Sequence, residues 1–475
     1  MTKKTRLFFG ILISAAVLAA CAGPSANYRR DLNRQIALGD YSGALKNVED
    51  SRKKEYGDKN ALLYFLDKGT VQQLLKDYDG SDKSFETAEE MMNAAYTKSI
   101  SRGAGTLIVN DNTTVYGGKP YERAFLNISR AINFVLEGER QDAIVEANKV
   151  TDFLYDYSKR SQGKSAWKDS AFAQYLSAML YEENGDFSDA AVCYGAAVKA
   201  YGGTSSVNET SMTPNNTRPG RIRSRGPAVT VTDNASPAPV LSFTVPSYKK
   251  LGNDGEVVLI HYNGPSPVKV SRTMQVAWNN AVAVLNSDNS GDEDAQRARN
   301  AVIAGGLAGG QITVSYPEYE QDPYFIHGSE LSVDGVGANS ILMEDIARIM
   351  RQDLRNEYPV IWSRAVVRAV TKYILSEIAS KSVENSVGGD SGKAWGMFTK
   401  IVTGAVSAGT EVADTRGWST LPAEIRMARL AVPAGKHSVR LSLLGQSGQV
   451  VEIVEIQNVE VKAGRRTYLL YRSVK

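Results

Sequence analysis

The stretch GDYSGAL, Gly39 to Leu45, recurs in altered form as KDYDGSD from Lys76, GERQDAI from Gly138 and GDFSDAA from Gly185. Each copy opens with a turn-forming or polar pair, then places one larger residue and, three positions later, a small one: Tyr41 with Ala44, Tyr78 with Ser81, Arg140 with Ala143, and Phe187 with Ala190. Apolar residues recur at helical spacing on both sides of each copy, which is typical of amphipathic helices. The pattern predicts four pairs of antiparallel helices, in which the small residue lets the two helices approach closely.

A single helix pair of this kind cannot bury its apolar face, so the pairs are expected to stack. The repeated turns resemble those of tetratricopeptide solenoids, whose repeat is about 34 residues. The copies are unequally spaced and lack the closing proline, which makes the repeats degenerate, and a generic helical bundle is the alternative. The resemblance implies that the array binds segments of other proteins along its concave face.

The N-terminus carries the features of an export signal. Three basic residues among the first six precede an apolar run, 7–20, which is shorter than the roughly twenty residues of a membrane span. The run ends in LAAC, which resembles the lipobox of bacterial lipoproteins, and the resemblance implies that Cys21 is lipidated and becomes the first residue. Ala22 in place of an aspartate implies the outer membrane. The alternatives are an ordinary signal peptide with a chance cysteine, or an uncleaved anchor.

The overall composition is that of an ordinary globular protein. The 475 residues carry 55 Lys and Arg against 52 Asp and Glu, a net charge of +3, which argues against dedicated nucleic-acid binding. There are two cysteines, so a lipidated Cys21 would leave Cys193 without a partner for an internal disulfide. Cys193 lies in an apolar helical run, where a buried small side chain is more typical than a nucleophile.

The pattern changes after the helical half. The segment 202–239 is rich in Ser, Thr, Asn, Gly and Pro, which predicts a disordered linker. GEVVLIHY and QITVSYPEY then predict strands, followed by two helices, one from Ile341 to about Tyr358 and one that Pro359 starts. The last stretches alternate apolar and polar residues between glycine-containing turns, which predicts a small β-sandwich.

The sequence as a whole predicts a multidomain, mainly α protein: an N-terminal tetratricopeptide-like α-solenoid, a mixed α/β middle region and a small C-terminal β-sandwich. The predicted divisions are a signal peptide over 1–20, a lipidated tether over 21–27, the helical repeat domain over 28–201, the disordered linker over 202–239, a mixed α+β region with long helices over 240–424, and the β-sandwich over 425–475.

One predicted helix of the middle region carries a basic stripe. Arg364, Arg368 and Lys372 are spaced by four and therefore share one helix face. The stripe is a candidate binding site for an anionic polymer such as peptidoglycan. A solvated or internally paired face is the alternative.

The sequence shows no catalytic set. The three histidines lack the spacing of metal ligands. The tetrapeptide GDSG around Ser391 matches a protease motif without the histidine context, and GGLAGG lacks the Lys-Ser/Thr ending of a phosphate loop. We therefore expect no enzyme, no metal and no cofactor other than the acyl modification of Cys21. A hydrolase that uses Ser391 or a carboxylate pair is the least favoured alternative.

Two segments carry a further resemblance, YGGKPYER in the helical half and ADTRGWSTLP before the last strands. Together they resemble a family of bacterial lipoproteins with degenerate tetratricopeptide-like repeats and an ADTRxWxxLP signature. The matching residues are Tyr121, Glu122, Arg123, Ala413, Asp414, Thr415, Arg416, Trp418, Leu421 and Pro422. Members are often encoded near a lipoprotein activator of penicillin-binding proteins, which implies a role in the cell envelope. The signature is either an interdomain joint or a recognition loop, since Trp and Arg are also common binding anchors.

These features predict a non-enzymatic lipoprotein of the outer membrane that faces the periplasm. Its expected role is a protein–protein interaction scaffold in envelope assembly, with an envelope protein as partner and peptidoglycan as a further candidate. The alternative is a polymer-binding protein that uses the basic stripe.

Overall fold

The computed structural model describes residues 23–102, 114–160, 169–200, 223–224, 253–287, 293–303, 311–387 and 413–475. Several predicted features lie outside these residues: the signal peptide with Cys21, most of the linker, GGLAGG, and the loop with Ser391. None of the helices in the described ranges is both long enough and apolar enough to span a membrane.

The N-terminal half of the described chain is helical. Its helices are α1 (Ala26–Ala37), α2 (Tyr41–Asp50), α3 (Ala61–Leu74), α4 (Tyr78–Arg102), α5 (Pro120–Glu137), α6 (Arg140–Arg160), α7 (Ala171–Asn184) and α8 (Phe187–Ala200). The second helix of each pair begins at the larger residue of the repeated stretch, and the four small residues that follow are fully buried. Each helix packs against the next one along the chain.

The turns form because the repeated stretch supplies both a left-handed residue and a helix cap. Gly39, Gly138 and Gly185 end the first helices with φ of 72°, 85° and 90°, a conformation that glycine adopts without steric cost. Asp40 then accepts a hydrogen bond of 2.9 Å from the backbone N–H of Gly43, which caps α2. The local sequence therefore fixes where these helix pairs turn.

The second half of the described chain is built mainly from strands. These are β1 (Arg223–Ser224), β2 (Asp254–Pro265), β3 (Val268–Ala277), β4 (Gln311–Glu320), β5 (Gly328–Val333), β6 (Val336–Asn339), β7 (Ile341–Asp345), β8 (Pro422–Pro433), β9 (Gly435–Leu444), β10 (Val450–Val461) and β11 (Arg466–Ser473). Three helices accompany them: α9 (Trp278–Ser287), α10 (Glu293–Ile303) and α11 (Ile346–Val387).

These strands form three sheets among the described residues. The first has the order β1-β8-β2-β11, with β7 also on β8, and the pairing of β11 with β2 is parallel. The second has the order β10-β9-β5-β6. The third is the antiparallel pair of β3 and β4, which contacts α9 and α11, and α10 packs on α9 and α11.

The first sheet lies between the helical half and the second sheet, because β2 is apolar on both faces. Val258 and Ile260 pack into the core shared with the helices. Val257 and Leu259 pack into the core shared with β5, β9 and β10. A strand covered on both faces reads as a continuous apolar run, and EVVLI is such a run.

The first helix of each pair is covered by the sheet. Helices α1, α3 and α5 contact β11, and α7 contacts β7. Accordingly, α7 buries 11 of its 14 residues while its partner α8 buries 4 of 14. A helix that is apolar all round is a buried helix. The first helices therefore bury part of their surface against the protein's own first sheet.

A buried charge cluster joins α7 to this sheet. Glu256 of β2 is fully buried and accepts hydrogen bonds from Arg429 (2.9 Å) and Arg466 (2.7 Å). Arg429 also donates to the hydroxyl of Tyr175, and Arg466 to Glu182, both on α7. Burial alone would raise the pKa of Glu256, but the two guanidinium groups outweigh it and hold the pKa at about 2. The cluster joins the sheet to α7, and its buried charges are ionised and paired with groups of opposite charge.

Three sequence-based boundaries need correction. The division at 424/425 falls inside β8, which pairs with β2 of the middle region, so the last 51 residues (425–475) do not form a sheet of their own. The predicted linker contributes one short strand, β1, because Arg223 and Ser224 pair with β8. Ile341 begins a strand instead of a helix, and Pro359 lies inside one continuous helix, α11, instead of starting a second.

Candidate functional site

A cleft of about 750 Å³ lies where five parts of the chain meet. These parts are the segment before α5, Tyr157 of α6, the strands β3 and β4, the middle of α11, and the start of the ADTRxW loop (413–418). Charged and aromatic side chains line it, chiefly Lys119, Lys269, Tyr319, Asp353, Glu357 and Arg416. Ligand sites usually have volumes of about 300–1,000 Å³, so the cleft is of the size that binds a small ligand or a chain segment.

Trp418 fixes the ADTRxW loop against the helical half. It is 4% exposed, and its ring packs beside Phe85 of α4 with centroids 5.8 Å apart. Its Nε1 donates to Thr70 of α3 (3.2 Å) and to Thr420 (2.9 Å). Thr420 in turn bonds to the fully buried Asp67 of α3. The loop is held by buried polar contacts on both sides of the tryptophan.

Arg416 and Asp414 form a closed pair at the wall of the cleft. Two charge-assisted hydrogen bonds of 2.9 Å join the guanidinium to the carboxylate. Arg416 also donates to the carbonyl of Thr114 (2.7 Å) and lies over the ring of Tyr116 at 5.0 Å. Burial opposes ionisation of Asp414, but Arg416 and the nearby Lys269 hold the pKa of this carboxyl at about 2. The pair is charged, and it joins the loop to the segment before α5.

Glu122 connects the two segments that carry the family resemblance. It is fully buried at the start of α5, where its Oε2 accepts from the backbone N–H of Lys119 (2.8 Å) and from the hydroxyl of Tyr116 (2.7 Å). Its Oε1 accepts from the backbone N–H of Trp418 (2.8 Å). The YER and ADTRxW segments therefore meet directly at this carboxylate, beside the cleft. Leu421 and Pro422 follow as buried residues that lead into β8.

The α11 wall of the cleft carries two carboxylates. Glu357 accepts a hydrogen bond of 2.7 Å from Nζ of Lys119, and this pair is partly exposed. Asp353 lies one helical turn earlier and has no hydrogen bond or ion pair among the described residues. Burial, and then the neighbouring Glu357, raise the pKa of Asp353 to about 6. Carboxyl groups with such shifts in a cleft are candidates for functional roles.

Lys269 lies on the opposite wall of the cleft, on β3. The residue is only 5% exposed, and its Nζ has no hydrogen-bond or ion-pair partner in the described part of the chain. Burial lowers the pKa of this lysine, although the nearby Asp414 works in the opposite direction. Lys269 and Asp353 are thus two charges of opposite sign, the first buried and the second partly exposed, that line one cavity without a hydrogen-bond or ion-pair partner in the described residues.

The predicted basic stripe does not form one solvated face. Arg364 is exposed, Arg368 is buried to 7% exposure, and Lys372 is half-buried. Arg364 and Arg368 line the cleft beside Val360 and Ile361. The spacing of four predicts one shared face, but tertiary contacts of α11 with β4, α9 and α10 leave the three side chains with different exposures.

The other sequence candidates lie apart from the cleft. His261 is fully buried between Ser329 (3.0 Å from Nδ1) and Ser473 (2.8 Å from Nε2), and burial lowers its pKa to about 3. It is therefore a neutral structural histidine. Cys193 is half-buried on α8, and burial raises the pKa of its thiol to about 11. The described residues contain no group of three or more potential metal ligands.

Sequence reasoning missed Lys269, Asp353 and Tyr319. Lys269 stands in VKVSRTMQVA, where alternation predicts an outward-facing lysine on a solvated strand. Asp353 is one of several charges on an amphipathic helix. Their importance arises from the contact between β3, α11 and the ADTRxW loop, and no local pattern encodes that contact.

The chain matches no protein-family model and no curated protein.

Proposed function

We propose that this protein is a non-enzymatic lipoprotein, anchored in the outer membrane through Cys21, that binds an envelope partner at the cleft beside the ADTRxW loop. The observation that carries the proposal is the 750 Å³ cleft with the unbonded Lys269 and Asp353 on its walls. The lipobox supports the anchor, and the position of the cleft where several separate parts of the chain meet supports a binding role.

The lining of the cleft favours binding over chemistry. Among its described residues there is neither a histidine nor a cysteine. Lys119 forms an ion pair with Glu357, and Arg416 forms one with Asp414. These two cations are therefore held in place as part of the cleft wall. Val115 and Val360 stand at the cleft with exposures of 68% and 54%, which adds apolar surface for a partner to cover.

The proposed architecture differs from an open solenoid scaffold. We regard the helix pairs as tetratricopeptide-like repeats, and the first and second sheets as a β-sandwich to which both halves of the chain contribute. Because the sheet covers the first helices, the partner is expected at the cleft instead of along the inner face of the repeats.

The test is site-specific photo-crosslinking in intact cells. A photoreactive amino acid at Val360, in the cleft, should give a discrete protein adduct. The same residue at Val192, which is 69% exposed on the outer side of α8, is the matched control and should give none. Equal adducts at both positions, or none at either, would refute partner binding at the cleft. Fractionation of a Cys21→Ser variant tests the anchor, because loss of the lipid should release the protein from the outer membrane.

A peptidoglycan-binding role is the second candidate. The observation in its favour is that Arg364 and Arg368 line the same cleft, so an anionic polymer would contact them there and not along an open stripe. Sedimentation with purified sacculi tests it, with an Arg364→Ala variant for the cleft and an Arg440→Ala variant, on the distant β9, as the control. If both variants sediment like the wild type, the cleft does not bind the polymer.

A further inference from the structure

The cleft contains a cation that the protein itself leaves unbonded. The side chain of Lys269 is 5% exposed, and its ammonium reaches the cleft and meets no carboxylate within ion-pair distance in the described residues. The acidic group with the largest effect on it, Asp414, is already bonded twice by Arg416. Loss of hydration makes such a charge costly unless a group of opposite charge meets it, so a ligand that brings one would be stabilised here.

The same cleft contains a partly exposed anion that also lacks an ion-pair partner among the described residues. Asp353 interacts electrostatically with Lys119 and Lys269 but forms no hydrogen bond or ion pair with either one. Lys119 is instead directed to Glu357, 2.7 Å away. The cleft therefore contains charges of both signs that could pair with each other. Lys269 and Asp353 nevertheless form no ion pair with each other or with another described residue.

We propose that the cleft binds a short peptide-like zwitterion, whose carboxylate is held by Lys269 and whose protonated amine is held by Asp353. This inference rests on the proposal that the cleft is a binding site, and it names the class of ligand. An ammonium supplies three donors to a carboxylate, and a carboxylate accepts from an amine, so each wall group matches one end of such a ligand.

The remaining lining suits the body of a peptide. Tyr157 and Tyr319 offer aromatic surface, and Ile361 and Val360 offer aliphatic surface, between the two charged walls. A cavity of about 750 Å³ has room for a ligand of several residues. Two sources provide this chemistry in the compartment that the lipobox implies: ordinary L-peptides, and peptides released from the cell wall.

Equilibrium dialysis with mass spectrometry tests the proposal on the purified full-length protein. One arm uses a pool of short L-peptides from a casein digest, and the second uses soluble peptides released from purified sacculi. Each pool is also offered with its amines acetylated, and with its carboxylates converted to amides. We expect retention from at least one untreated pool and a loss of about tenfold or more when either group is blocked. The pool that is retained identifies the source.

Two cleft variants and one control complete the experiment. Lys269→Met and Asp353→Asn should each weaken retention about tenfold or more, whereas Lys436→Met, on the distant β9, should leave it unchanged. Circular dichroism confirms that each variant is folded, and Asp353→Asn preserves the shape of the side chain. No retention from either pool, or equal retention by both cleft variants and the wild type, would overturn the proposal.

The outcome can be separated from that of the proposed function. If photo-crosslinking at Val360 traps a protein but no peptide is retained in dialysis, the ligand class is wrong and the partner-binding role stands. If zwitterionic peptides are retained but no protein is trapped, the ligand class stands and the partner-binding role is wrong.

Discussion

Replacement of Lys269 by methionine should make the unliganded protein more stable. The substitution keeps an unbranched side chain of similar length, so the packing around the stem on β3 is retained. It removes an ammonium that has no hydrogen-bond or ion-pair partner among the described residues and that reaches the water of the cleft. The cleft walls remove part of the hydration of this charge, which favours the neutral variant, so the free energy of unfolding should rise, by about 1 kcal/mol or less, at pH 7.

The pH dependence gives this prediction a second check. Because burial lowers the pKa of Lys269 in the folded state, the unfolded chain holds the proton more tightly, and the stability of the wild type rises as the pH approaches the unfolded value of about 10.4. The methionine variant has no titratable group at this position, so its stability lacks this dependence on pH. The stability gap between the variant and the wild type should therefore narrow as the pH is raised from 7 towards 10.

Urea denaturation of both proteins, at pH 7 and pH 9.5, is the measurement. Lys119→Met is the control, because Lys119 belongs to the same cleft but forms an ion pair of 2.7 Å with Glu357. That variant should lose stability, by about 0.5–1 kcal/mol since the pair is partly exposed. If Lys269→Met is less stable than the wild type by 1 kcal/mol or more, the lysine has a partner that stabilises it, and the argument for an unbonded charge is refuted.

Three further predictions concern Trp418 of the ADTRxW loop and two buried titratable groups. Trp418→Ala should lower the free energy of unfolding by about 3–5 kcal/mol in urea, because it empties a buried aromatic site, whereas Trp418→Phe should cost much less. His261, with a folded pKa of about 3, should make the wild type lose about 3 kcal/mol between pH 7 and pH 4, and a His261→Gln variant should lose correspondingly less over the same range. Glu344 is buried against Ser170, which donates a hydrogen bond of 2.7 Å to it, and burial raises the pKa of Glu344 to about 7. Ionisation of this buried carboxyl at high pH therefore lowers the stability of the folded protein. Glu344→Gln should therefore gain stability relative to the wild type at pH 8 but not at pH 4, as measured by urea midpoints at the two pH values.

The helix pairs could be predicted because their signals are local. The aspartate that caps α2 and the glycines with positive φ that end the first helices are visible in a few consecutive letters. The strands β2 and β4 could be predicted for the same reason, since their apolar runs are confirmed over Asp254–Pro265 and Gln311–Glu320.

The arrangement of these elements could not be predicted in the same way. The pairing of β8 with β2 joins residues more than 150 positions apart, and no pattern in either strand indicates which strand it pairs with. The apolar residues of α7 surround the helix, which predicts that other elements cover it, but the sequence does not show which ones. The cleft could not be predicted for the same reason: Lys269 and Asp353 are ordinary polar residues of a strand and a helix until tertiary contacts bring them to one cavity.

Cover of the first helices by the sheet limits how this array can change in evolution. Free-standing repeat arrays gain or lose units at their ends, because each unit touches only its neighbours. Packed helices are about 10 Å apart, and paired strands are about 4.8 Å apart. Each added helix pair would therefore widen the layer of first helices by about the width of two strands. An extra pair would overhang the sheet and expose a first helix as apolar as α7. The number of helix pairs that can be covered is thus tied to the width of the sheet, and a duplicated pair would leave apolar helix surface exposed to water.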